Sequence, residues 1–220
     1  MNGMSRIFIL GNGASLNSTP LHLLSREKTM GVNKIAARYN PTHYVKIDYS
    51  AWEKDEWLYE VFPQVASGKP CLLCDVFRDG VKNPDAPFGD NIPKGIGDYI
   101  NATWISRCLH HGNKGYEGGW HEPICTAWNS IVPMVQWAEQ LGFDEAFLIG
   151  CDGVFTDGIT DHFMPYYKEV DANYQTRNNE CVKRAHAMIE RNCKMKVYNA
   201  TAGGVIENYP RVDLETVLNG

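Results

Sequence analysis

No window of the chain approaches the roughly 20 consecutive apolar residues of a membrane span. The first residues, MNGMSR, also lack the apolar core of a secretory leader. A soluble chain with a cytoplasmic address is therefore expected. Positive charge is in short supply, with 21 Lys and Arg against 26 Asp and Glu and a net charge of -5. That balance disfavours a nucleic-acid duplex as a generic partner, because backbone binding needs a basic surface; a local basic groove would still be compatible with it. Cysteine forms no framework: the seven residues are odd in number and several sit in apolar runs, so free thiols are expected. Cys71 and Cys74 make a C-x-x-C pair with no second pair at zinc spacing, which favours a core role. Two phosphate-binding fingerprints are missing as well. The chain has neither the third glycine of a dinucleotide loop nor the Gly-Lys-Ser/Thr of a Walker loop after its first apolar run.

What the chain does have is a series of short β-rich runs: RIFIL at 6–10, TMGVN at 29–33, HYVKID at 43–48, CLLCDVF at 71–77, ATWISRCL at 102–109, EAFLIG at 145–150 and MKVYN at 195–199. Most are continuously apolar rather than alternating, the pattern of strands covered on both faces. Helical spacing fills some of the intervals. In 127–141 the residues Ile131, Met134, Val135, Ala138 and Leu141 mark one face and Gly142 follows as a stop. Pro133 fits the first turn of a helix that starts near Asn129 or Ser130. A second helix is predicted over 168–192, with Cys181, Ala185, Met188 and Ile189 inward. Strand and helix in alternation imply an α/β fold: a single Rossmann-like, GT-A-like parallel sheet flanked by helices, forming one nucleotide-binding domain over 1–220. The stretch 78–123 reads as a loop-rich insertion, its Gly/Pro-rich parts 78–99 and 110–123 flanking ATWISRCL, and 153–175 reads as a lid.

The turn after the first strand, Gly11-Asn12-Gly13-Ala14-Ser15, is where chemistry is expected to begin. Ligands of open parallel sheets bind at the carboxyl ends of the strands. There glycines allow close backbone approach, Asn12 offers an amide, and Ser15 can cap the next helical turn. The same residues also suit a plain strand-to-helix turn. Two further strands end in polar residues, GVN in Asn33 and KIDYS in Asp48. Amides and a carboxylate gathered at one sheet edge suit a base or ribose better than a bare phosphate, although each alone also suits a turn. The stretch FLIGCDGVFTDGITDHFMPYY at 147–167 ends a strand at Gly150, follows it with Asp152, and delivers His162 with Tyr166 and Tyr167 beyond. Histidine can take a proton near neutral pH, and tyrosine hydroxyls can hold a phosphate or leaving oxygen. Asp152, Asp157 and Asp161 are oxygen donors that suit Mg²⁺, but their spacing matches no EF-hand and no metal site is assigned. His110, His111 and His121, in a glycine-rich loop, could cover a pocket or face solvent.

Taken together, ILGNGASL, GVN, LGFDEAFLIGCDGVF, DHFMPYY and VYNATAGGVIENYPRVDLETVL resemble a superfamily that includes bacterial lipooligosaccharide sialyltransferases, motility accessory factor glycosyltransferases and archaeal 6-hydroxymethylpterin diphosphokinase-like proteins. The resemblance implies an enzyme that moves a sugar, for example a nonulosonic acid on CMP, from a nucleotide donor to an acceptor hydroxyl with inversion and without a metal. In that reading Asn12, Asn33 and Ser130 look like donor contacts, joined by Gly11, Gly13, Ser15, Asp48, Asn129 and Asp152 around the nucleotide. His162 looks like the general base, with Tyr166 or Tyr167 facing the departing phosphate. The nucleotide sugar is then a substrate and no cofactor is needed. Two alternatives are a Mg²⁺-dependent diphosphokinase of a pterin-like alcohol, with Asp152 and Asp161 on the metal, and a non-catalytic nucleotide-binding module. The acceptor is left open, with a nucleic acid disfavoured by charge.

Overall fold

A computed structural model describes residues 5–47, 61–74, 102–105, 120, 124, 129–156, 161–163 and 172–220. Its strands are β1 (Arg6–Leu10), β2 (Thr29–Val32), β3 (His43–Lys46), β4 (Cys71–Cys74), β5 (Ala102–Ile105), β6 (Glu145–Ile149) and β7 (Lys196–Asn199). Every β-rich run of the sequence therefore contributes a strand. They form one parallel sheet in the order β5-β4-β3-β2-β1-β6-β7. β5 falls inside the stretch 78–123 and pairs along β4, so this part of the expected insertion belongs to the sheet.

The helices are α1 (Phe62–Ala66), α2 (Ile131–Gln140), α3 (Ala172–Asn192) and α4 (Leu214–Asn219), and three short 3-10 helices cover Ala14–Asn17, Leu21–Arg26 and Asn33–Ala37. They divide between the two faces of the sheet, and strand pleating explains how. Ile7 and Ile9 of β1 point to one side, into a cluster with Met134, Val135 and Ala138 of α2 and Val182, Ala185 and Ile189 of α3. Phe8 and Leu10 point to the other, onto Leu16, Leu21, Leu24 and Ile35 of the 3-10 helices and Leu214 of α4. A strand sandwiched this way needs apolar residues at consecutive positions, which is why RIFIL reads as a continuous run. On the second face Phe8, Phe147 and Tyr198 stack across three neighbouring strands at centroid distances of 5.1 and 5.0 Å.

Two helical expectations are refined. α2 buries every residue from Ile131 to Ala138, because one side packs on the sheet and another on α3, while Leu141, expected on the buried face, stands 44% exposed just past the helix end. Gly142 ends the helix with φ of 83°, a left-handed conformation that suits glycine. α3 buries Val182, Ala185, His186 and Ile189, while Cys181 and Met188 are only half-buried. Among the described residues no helix is long and apolar enough to cross a membrane.

The strand order fixes where a ligand is expected. From β1 the chain builds outward to β5, then returns to the other side of β1 to lay down β6 and β7. The connection after β1 runs over the face that holds the 3-10 helices, and the connection after β6 runs over the face that holds α3. β1 and β6 therefore form a topological switch point, where the loops leaving two adjacent strands diverge and open a crevice at their carboxyl ends.

Candidate functional site

The loops at this switch point are Gly11–Ser15 after β1 and Gly150–Phe155 after β6. They remain tied together beyond the last strand residues: Gly11 N–H donates to the Ile149 carbonyl and Gly13 N–H to the Gly150 carbonyl, both at 2.8 Å. This closeness explains the glycines. A Cβ on Gly11 would lie 2.4 Å from the Gly150 carbonyl oxygen, and one on Gly13 would lie 2.5 Å from the Asp152 carboxyl carbon, well inside van der Waals contact. Ser15 is not the cap it was expected to be. The 3-10 helix begins at Ala14 without a side-chain cap, and the Ser15 hydroxyl and N–H both donate to the Asp152 carboxylate, the N–H at 2.9 Å.

Asn12, between the two glycines, is oriented across the sheet. Its Nδ2 donates to the carbonyl of Val32, the last residue of β2, at 3.1 Å, which brings the tips of β1 and β2 together. Asn33 comes next along the chain with φ of 51° and is the one non-glycine residue of positive φ among the described residues. Asparagine tolerates the left-handed region better than other side chains, and such a conformation costs of order 1 kcal/mol or more unless its surroundings impose it. The hydroxyl of Tyr44 donates to the Asn33 carbonyl at 3.1 Å and helps to hold it there. The side-chain oxygens of Asn12 and Asn33 are both buried without a hydrogen-bond partner among the described residues. Buried acceptors of this kind are rare in folded proteins and mark places where a ligand or ordered water completes the structure.

His162 is brought to the same place by backbone pairing. Its segment forms an antiparallel bridge with Gly13, and Phe163 N–H donates to the Asn12 carbonyl at 3.1 Å. Phe163 is buried and anchors the segment in the core. The His162 ring packs edge-on against Phe155 at 6.0 Å. Burial is the main cause that lowers its pKa; Lys34 lowers it further, while a hydrogen bond to the Asn12 backbone and the charges of Asp161 and Asp152 oppose the fall. The net direction leaves a neutral imidazole at pH 7, the protonation state that a general base needs. Asp161 accepts from Thr156 N–H at 2.7 Å and from its hydroxyl at 2.6 Å, which ties the residue before the histidine to the end of the β6 loop.

The structure thus gathers Gly11, Asn12, Gly13, Ser15, Asn33, Asp152 and His162 around one sheet edge. Asn129 and Ser130 precede α2, whose chain direction puts them toward the same edge; Asn129 Oδ1 accepts from Ile131 N–H at 2.9 Å, and Ser130 makes no side-chain cap. Asp48, Tyr166 and Tyr167 lie outside the described residues, as do His110, His111, His121 and Asp157. Of the expected lid, Thr156 and Asp161–Phe163 border the site, residues 172–175 begin α3, and 157–160 and 164–171 lie outside the described residues.

A third loop at this edge lies within the VYNATAGGVIENYPRVDLETVL block, in which no site residue was expected. After β7, residues 200–206 fold back on the β6 loop: Val205 N–H donates to the Asp152 carbonyl at 2.8 Å, and Thr201 Oγ1 accepts from Cys151 N–H at 3.1 Å. Arg211 holds this loop by donating to the carbonyls of Gly203 at 2.7 Å and Gly204 at 2.9 Å. The Gly203-Gly204 pair in TAGG is the available signal, since both residues take positive φ. Cys151 sits beneath the loops as a neutral thiol, its pKa pushed up to about 12 chiefly by burial, so it has no thiolate nucleophile to offer. Cys71, Cys151, Cys181 and Cys193 are free, and Cys71 is buried in β4. Among the described residues no group of three His, Cys, Asp or Glu is placed to hold a metal ion.

No protein-family model matches the chain, and no curated protein does. Among solved structures it is similar to the MAf glycosyltransferase from Magnetospirillum magneticum AMB-1, with a TM-score of 0.49 and 13% sequence identity over 97% of this chain and 34% of that one. The chain therefore spans about a third of the length of that protein.

Proposed function

We propose that the chain is a glycosyltransferase that binds a nucleotide-activated sugar at the β1/β6 switch point and transfers the sugar to an acceptor hydroxyl, with His162 as general base. The observation that carries this reading is the pairing of the His162 segment with the Asn12–Gly13 turn, beside two buried amide oxygens that have no partner among the described residues. Amide oxygens accept from the N–H and O–H groups of a base edge or ribose. A neutral imidazole beside them has the protonation state needed to remove a hydroxyl proton as the new glycosidic bond forms. Direct attack of that oxygen on the sugar carbon inverts its configuration.

The finer part of the proposal concerns the donor. The resemblance of the motifs points to CMP carrying a nonulosonic acid, and a cytosine amino group is a suitable donor to Asn12 Oδ1 or Asn33 Oδ1. The nucleotide sugar is a substrate and the reaction is proposed to proceed without a metal. The carboxylates of Asp152 and Asp161 are engaged by Ser15 and Thr156, and no contact among the described residues turns them together toward a common cation.

A thermal-shift panel of CMP, UDP, GDP and ATP, with and without Mg²⁺, tests the reading. Stabilisation by CMP, unaffected by EDTA, is expected. Stabilisation by ATP alone, and only with Mg²⁺, would contradict it.

A further inference from the structure

α3 reaches the end of the β6 loop through Asn179. The side-chain oxygen of Asn179 accepts from Phe155 N–H at 2.8 Å, and its Nδ2 donates to the Phe155 carbonyl at 3.0 Å. One amide thus takes both backbone groups of a single residue, as a neighbouring strand would, and the flipped amide would set oxygen against oxygen. Along α3, Val182, His186 and Ile189 follow Asn179 at three- and four-residue steps and are buried, which puts all four on one side of the helix. Val182 and Ile189 belong to the core cluster on the sheet, so the helix that grips Phe155 is itself fixed. What Phe155 and its neighbour touch is the histidine segment. The Phe155 ring packs against the core cluster and meets the His162 imidazole edge-on at 6.0 Å, and Thr156 donates to Asp161, the residue before the histidine. From the other side Gly13 is bridged to His162. The imidazole is therefore set between the β1 loop and a stretch of the β6 loop that Asn179 ties to α3.

We infer that Asn179 is a positioning residue for the base: by holding the Phe155 backbone to α3, it fixes the wall against which the His162 imidazole is placed. The inference rests on the reading of His162 as general base and adds the element that aims it. Without the two bonds the end of the β6 loop has no anchor on α3, the Phe155 ring can move off the imidazole, and water reaches the ring. Burial is the largest cause that lowers the His162 pKa, so a receding wall moves that pKa upward, toward 6.5. The charges that act on the ring are Lys34 from the 3-10 helix after β2, Asp152 from the β6 loop and Asp161 from its own segment, and a substitution at Asn179 alters none of them. A base that has lost its fixed position is also slower, because proton transfer needs the imidazole within hydrogen-bond reach of the hydroxyl.

The test is an NMR titration of the His162 ring in the full chain, which needs no substrate. Asn179→Leu keeps the size of the side chain and removes both bonds, and its His162 midpoint should rise toward 6.5. Asn179→Gln carries the same amide on a longer stem and should rise less. Phe155→Leu removes the ring and should raise the midpoint too, and the double variant should rise by less than the sum, since both changes act through one contact. Asn192→Ala, which removes a bond from Asn192 Nδ2 to the Met188 carbonyl at the far end of α3, is the control for a helix that is merely weakened, and its midpoint should stay at the wild-type value. Hydrolysis of CMP-N-acetylneuraminate, in which water replaces the acceptor hydroxyl, should fall about 10- to 100-fold in Asn179→Leu through kcat, with KM little changed. A folded Asn179→Leu with an unmoved His162 midpoint overturns the inference, as does an equal rise in Asn192→Ala. Should Asn179→Leu not fold, Asn179→Gln and Phe155→Leu decide: a raised midpoint in both supports the inference and an unmoved midpoint in either overturns it. Hydrolysis that survives His162→Ala removes the base instead, and leaves the placement of the ring by Asn179 to stand on the titration.

Discussion

Ser15 and Asp152, 137 residues apart in sequence, share two hydrogen bonds, the serine N–H and hydroxyl both donating to one carboxylate. The contact closes the β1 loop onto the β6 loop and sets the spacing of the crevice between them. Asp152→Asn replaces an acceptor oxygen by an amide donor and should cost about 2 kcal/mol, with Ser15→Ala costing about 1 kcal/mol. Because both changes break the same contact, the double variant should lose less than the sum of the two. Chemical denaturation of the four proteins measures this, and strict additivity would show that the contact contributes nothing to stability.

Gly13 lies against the same carboxylate. Gly13→Ala would put a Cβ 2.5 Å from the Asp152 carboxyl carbon and 2.6 and 2.7 Å from its oxygens, so the loop must shift. A loss of about 1–3 kcal/mol is expected, together with loss of turnover, because the bridge that carries His162 is made by Gly13 itself. Gly142→Ala is the control: its added Cβ meets nothing within 4 Å, so only the positive φ is penalised, far from the site. Equal loss of turnover in the two variants would mean that the Gly13 contact has no special role.

His162 supplies a prediction in pH. Its pKa is lowered below 6.5, burial being the largest cause, and the neutral form is the active base. Turnover should therefore fall as pH drops through a midpoint below 6.5 and be flat above it. Lys34 is one of the groups that lower this pKa, so Lys34→Met should move the midpoint upward. His162→Ala should lower turnover by about 10²- to 10⁴-fold while leaving nucleotide affinity nearly unchanged. Retained turnover in that variant, or a midpoint that Lys34→Met moves downward, would exclude the role.

His186 tests the core independently of function. It is buried in α3, its Nδ1 lies 3.0 Å from the Tyr209 hydroxyl, and burial lowers its pKa to about 4. The unfolded chain takes up a proton near pH 6.5 that the folded chain resists down to about 4. Stability is therefore full above pH 6.5 and falls as the pH drops toward 4, by about 3 kcal/mol if the shift is fully realised. Unfolding midpoints at pH 7 and pH 5 should differ less in His186→Gln than in the wild type. An unchanged difference would place the acid sensitivity elsewhere.

The strands were legible in the sequence because most are apolar on two faces, and continuous runs such as RIFIL and EAFLIG have no competing helical period. Their polar ends were legible as candidate ligand positions because parallel strands present their carboxyl ends on one edge. The pairing of Ser15 with Asp152 was not, since a local reading of Gly-Ala-Ser offers a cap and nothing nearby names the distant partner. Nor was the burial of Lys46: in HYVKID a lysine reads as one solvated position of a strand, yet at the end of β3 it is buried. The loop held by Arg211 escaped for the same reason, its contacts to Gly203 and Gly204 depending on where β7 lies against β6. Leu141 kept the helical period but fell beyond the turn that ends α2.

The central claim is that a nucleotide lies over the tips of β1 and β2, with His162 beside it. Backbone amide chemical shifts recorded during a CMP titration test it most directly. The account predicts that the largest changes fall at Gly11–Gly13, Asn33, Asp152 and His162–Phe163, and that Ser5, Thr29, Asp144 and Lys196 at the opposite edge of the sheet stay still. Changes confined to that opposite edge, or none at saturating nucleotide, would contradict it.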